Sequence, residues 1–127
     1  MNQYIFPDIE VELVDLFNNY LGEITRVGTK KLPGNQSGNE IVITAAYSGD
    51  KERTLKFAGI VLDIYSLDNE TCAGLALSAE YVLRQAVSSN IKSVDILSGP
   101  IRVDEPGPAE HRTISAEVVV KATDYIF

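Results

Sequence analysis

Along residues 72–86 the apolar side chains of Cys72, Leu75, Ala76, Ala79, Val82, Leu83 and Ala86 recur at i, i+3, i+4 and i+7 without a gap. The spacing predicts an amphipathic helix, capped at its start by Asp68 or Asn69. Much of its apolar face is small (Cys72, Ala76, Ala79, Ala86), so the helix can lie close against a sheet. A matching surface is written into Thr113–Thr123, where Ile114, Ala116, Val118, Val120 and Ala122 alternate cleanly onto one face of a strand. Together they commit the chain to a helix-on-sheet core, with Ala79, Leu83, Val118 and Val120 expected at its centre.

The other elements follow from the same periodicities. Ile9, Leu13, Leu16, Phe17 and Tyr20 form the stripe of a first helix, with Asp8 as N-cap behind Pro7 and Gly22 at the C-terminal cap. Asp8, Glu12, Asp15 and Asn19 line an adjoining face, read either as solvated surface or as a surface that repels or steers a charged partner. Residues 23–30 place Thr25, Val27 and Thr29 on one parity and predict a short strand. The segment Leu32–Asn39 holds two glycines and a proline and has almost nothing to bury, so it reads as a flexible loop. Ile41–Tyr47 is a strand, Ser48–Lys51 a turn, and Arg53–Tyr65 a longer strand. In that last strand the apolar parity changes between Phe57 and Ile60, which predicts a bulge at Ala58-Gly59. A strand from Ile91 through Gly99-Pro100 to Val103 follows the second helix, and Asp104–Glu110 is a loop or wide hairpin turn between it and the final strand. The expected order is α-β-β-β-α-β-β. It describes an α+β fold, a mostly antiparallel sheet with both helices on one face, in one domain spanning residues 1–127.

Composition narrows the functional classes. Eleven basic against eighteen acidic residues give the chain a net charge of −7, spread over both halves, which disfavours sequence-independent binding to phosphate backbones. One cysteine, Cys72, cannot form an internal disulfide, and it falls on the apolar face of the second helix as a small core side chain. The N-terminus lacks a signal-peptide pattern and no apolar run is long enough for a membrane span, so a protein of a reducing cytoplasm is expected, or one carried out of it inside an assembly. No phosphate loop, His-Glu-x-x-His or Cys-x-x-Cys motif is present. His111 is the sole histidine and is read as a plain loop residue, with no ligand spacing around it. The expectation is therefore no catalytic residues, no cofactor and no metal: a chain that is not an enzyme.

The whole pattern has a family likeness. A short helix begins after Phe6-Pro7-Asp8, and strands lead to the small-residue helix Thr71-Cys72-Ala73-Gly74-Leu75-Ala76-Leu77. Gly99-Pro100-Ile101-Arg102-Val103 then precedes the alternating strand introduced by His111-Arg112. Over roughly residues 5–123 this resembles the tail-terminator (tail-completion) proteins of long-tailed, siphophage-type bacteriophages. The resemblance implies a structural virion protein, made in the host cytoplasm. It implies a homo-oligomeric ring, commonly sixfold, that caps the tail tube, stops its polymerisation and joins it to the head–tail connector. DNA would pass through without being specifically bound, and no membrane is involved. The alternative is a cytoplasmic module that binds a protein partner or small ligand without catalysis. For the ring, two sets of residues are candidate contacts. Asp50, Glu52, Arg53 and Lys56 surround Arg53–Phe57, expected to be an exposed strand edge, and carry charge of both signs. Lys30 and Lys31 precede the loop that carries Asn35, a loop expected to order only in the assembled tail.

Overall fold

Helix α2 (Asn69–Arg84) lies where the periodicity puts it, with the Asp68 side chain accepting from the Thr71 amide as its N-cap. The computed structural model describes residues 3–31, 38–104 and 106–126. The remaining elements are β1 (Gln3–Ile5), α1 (Ile9–Leu21), β2 (Arg26–Gly28), β3 (Glu40–Glu52), β4 (Leu55–Ser66), β5 (Ile91–Val103), β6 (Glu110–Lys121) and β7 (Asp124–Ile126). Strands β2 to β6 form one sheet in the order β2-β3-β4-β6-β5, antiparallel except for the parallel β2–β3 pair. Helix α1 packs on β2 and β3 while α2 packs on β4, β5 and β6, so both helices cover one face. The fold is α+β. The core between the layers holds Ala79, Leu83, Val118 and Val120, all fully buried.

Helix α1 differs from its expected stripe in one detail. The buried residues are Ile9, Leu13, Phe17 and Leu21, and Tyr20 is exposed with its ring edge-on to Tyr81 at 6.3 Å. The stripe steps by four residues, and Tyr20 falls one position short of it.

Three boundaries are corrected. Ser48–Lys51 is no turn: β3 runs on to Glu52, and register shifts at Tyr47/Gly49 and Asp50/Glu52 absorb the glycine and the polar residues, leaving Arg53 and Thr54 to reverse the chain. Strand β6 begins at Glu110, so His111 and Arg112 belong to the sheet. Strand β4 has no bulge at Ala58-Gly59, since its pairing with β6 is unbroken from Leu55 to Ser66. The parity change has another origin. From Ala58 to Ser66 the even residues face the helices, whereas Leu55 and Phe57 are half-buried on the other face. Even-numbered Lys56, beyond the main core, lays its ammonium over the Phe6 and Tyr47 rings at 4.9 and 5.7 Å.

The short pair β1–β7 is not legible in the sequence, because three residues a side give no period to detect. It is tied down where Thr123 N donates to the Ile5 carbonyl at 2.7 Å and Ala122 N to the Thr54 carbonyl at 2.9 Å. The glycine before Pro100 is needed for close approach. Gly99 has φ +103°, and any Cβ there would sit on the Thr113 carbonyl of the neighbouring strand.

Candidate interaction site

Strand β4 is internal, flanked along its length by β3 and β6, so Arg53–Phe57 offers no free edge. The outer edges belong to β2 and β5 and to the part of β3 beyond β2. That part of β3 is blunted in place: Ala45 N donates to the Glu10 carboxylate at 3.2 Å, which gives an edge amide an acceptor within the chain.

What the structure builds at the β3–β4 end is a charged turn backed by aromatic rings. Asp50, Lys51, Glu52 and Arg53 are all exposed. Lys56 reaches the Asp50 carboxylate at 3.7 Å, a pairing within one chain. The Lys51 ammonium lies over Phe57 at 5.9 Å and the Arg53 guanidinium over Tyr4 at 5.8 Å. Phe6 packs edge-on to Tyr47 at 5.8 Å beneath Lys56. Four cations from β3, β4, β6 and their turn (Lys51, Arg53, Lys56, Lys121) thus share one end of the sheet with two carboxylates, Asp50 and Glu52, since Leu55 pairs with Lys121 across β4 and β6. Sequence reasoning found Arg53 and Lys56 but missed their aromatic support, because Tyr4 and Phe6 reach this end only through tertiary structure. The half-apolar parity of Leu55 and Phe57 was the available signal.

Tyr47 anchors the same end from the helix side. Its hydroxyl donates to the Pro7 carbonyl at 2.6 Å. Burial, with the Glu12 and Asp8 carboxylates nearby, pushes its phenol up to about 12.

Lys30 and Lys31 lie elsewhere. The Lys30 carbonyl accepts from Arg26 Nη1 at 2.9 Å, and the Lys31 ammonium sits 4.0 Å over the Tyr65 ring. Tyr65 and Leu55 are ten positions apart on β4, a separation of about 30 Å at strand spacing. The candidate contacts therefore form two groups at opposite ends of the sheet. Asn35 lies outside the described residues, as do residues 32–37 of the loop on which the disorder-to-order expectation rests.

His111 is a correction as well. It is a buried strand residue, 7% exposed, with Nε2 bonded to Asp63 at 2.7 Å and its ring stacked on Tyr65 at 4.3 Å. Sheet pairing sets Asp63 and Tyr65 beside Thr113 and His111, which no local spacing in the sequence reveals. Among the described residues no group of three His, Cys, Asp or Glu side chains is placed to hold a metal. Cys72 is fully buried, its thiol aimed at the Ile64 carbonyl at 3.6 Å and pushed up by desolvation, which holds it in the unreactive protonated form.

A second surface lies on the helix layer. From Asp8 to Thr25 the chain carries five carboxylates (Asp8, Glu10, Glu12, Asp15, Glu23) and no cation. Two of them serve the fold. Asp8 caps Val11 at 3.2 Å, and Glu10 takes the Ala45 amide. Glu12 accepts from Asn90 Nδ2 at 2.9 Å on the wall of a groove of about 380 Å³, which Asp15 and Asn19 line from α1 and Ser88 and Ser89 from the loop before β5.

No family model and no curated protein matches the chain. In fold it is similar to a chain of a solved structure described as the virion of a native gene transfer agent (GTA) particle. The two share 16% sequence identity and a TM-score of 0.59, over 87% of this chain and 84% of that one. At that identity the likeness is one of fold.

Proposed function

We propose that this chain is a structural component of a phage-like virion and, within it, the tail terminator: a ring of identical subunits, sixfold by the family pattern, that closes the tail tube and meets the head–tail connector. The observation that carries the reading is the likeness to a chain of a gene transfer agent virion, which extends over nearly the full length of both chains. The internal sequence pattern supports it independently, since the order of helices and strands and the Gly99-Pro100 segment are those of the terminators it resembles. The role asks for surfaces rather than for a reaction centre, and surfaces are what this fold presents: a cation-rich turn at one end and an acidic helix on one face. DNA passes the ring without being read, in keeping with a net charge of −7. The partners are other copies of the chain, the tube protein and the connector, in the virion and, during assembly, in the host cytoplasm.

Assembly in its absence tests the reading. Cells that make the particle without this chain should give tail tubes of uncontrolled length and filled heads that carry no tail. Tails of normal length joined to heads would overturn it.

A further inference from the structure

The β3–β4 turn and the α1 groove are complementary in charge. Lys51 near the end of β3 and Arg53 in the turn are both exposed, and each lies over a ring, Phe57 for Lys51 and Tyr4 for Arg53. A cation already laid on a ring loses less side-chain freedom when it docks. The groove has Glu12 and Asp15 on one wall and Ser88, Ser89 and Asn90 on the other, with Leu13, Leu16, Ala86 and Ile91 lining it between these polar groups. The α1 wall itself carries no cation from Asp8 to Thr25. DNA is a poorer occupant of the turn, because Asp50 and Glu52 flank its cations and the aromatic faces are already covered.

We propose that the β3–β4 turn of one copy docks in the α1 groove of a second copy, with Lys51 and Arg53 set against Glu12 and Asp15. The proposal deepens the ring reading and rests on it. Each copy carries one turn and one groove, so the contact is heterologous, and its repetition closes a ring when the rotation between neighbours divides a full turn. It also assigns a use to the aromatic backing of the turn, which a merely solvated hairpin would not need.

Charge reversal tests it in the intact chain. Sedimentation velocity and light scattering across concentration, in low and moderate salt, are read for wild type, Arg53→Glu, Lys51→Glu, Asp15→Arg and the combination Arg53→Glu with Asp15→Arg. Circular dichroism verifies that each is folded. Wild type should self-associate, more weakly as salt rises. Each single reversal should weaken association at least tenfold, and the combination should restore most of it. Wild type that stays monomeric at every concentration overturns the docking. So do single reversals that associate like wild type, or a combination that recovers nothing. Association that ignores every reversal but still builds rings defeats the docking alone. Charge-dependent association that stops at a reciprocal dimer upholds the docking and defeats the ring.

Discussion

Leu83→Ala should destabilise the protein by about 2–5 kcal/mol, measured by urea denaturation at neutral pH with an unchanged slope. Leu83 has no exposed surface, and it sits on the face of α2 that packs against β4, β5 and β6. Its removal leaves a cavity between a helix and a sheet. The sheet cannot close on that cavity, because the backbone of β6 is fixed on both sides by ladders to β4 and β5. A loss below about 1 kcal/mol would show that the site collapses freely, which contradicts a core packed tightly between helix and sheet.

Arg26→Met is expected to cost about 3 kcal/mol, the low end for breaking a buried ion pair because Arg26 keeps 30% of its side-chain surface exposed. Its partner Glu40 is 2% exposed, and the two lie directly across the parallel β2–β3 pair with Nη1 and Oε2 2.5 Å apart. The single change removes the Arg26 cation from beside a carboxylate that the fold keeps out of water. The combination Arg26→Met with Glu40→Leu removes charge and counter-charge together, and should recover most of the loss. Equal destabilisation by the single and the combined change would mean that the packing of Arg26, and not its charge, holds β2 in place.

The two changes also mark where the sequence is legible. Around Leu83 the pattern is strong enough for the amino-acid order alone to name the core: unbroken helical spacing on α2 and strict alternation on β6, each long enough for one period to dominate. Around Arg26 it is weak. Strand β2 is three residues long and parallel to its partner, and the ion pair that pins it joins residues fourteen positions apart. The same reason hides the β1–β7 pair and the Asp63–His111–Tyr65 cluster: each is made by pairing between distant segments. In β4 the pattern is visible but ambiguous. A change of apolar parity reads as a bulge when one buried face is assumed, whereas this strand half-buries Leu55 and Phe57 on the face opposite its helices. The candidate contact residues are legible as charges but not as a surface, because Tyr4, Phe6 and Tyr47 approach Arg53 and Lys56 only in the folded chain.

Electron microscopy of the concentrated protein tests the ring most directly. Class averages from low salt should show closed rings of one symmetry with a central channel, giving way to single subunits as salt screens the contacts between turns and grooves. Fields that contain only monomers and twofold dimers at every concentration and salt would contradict the account.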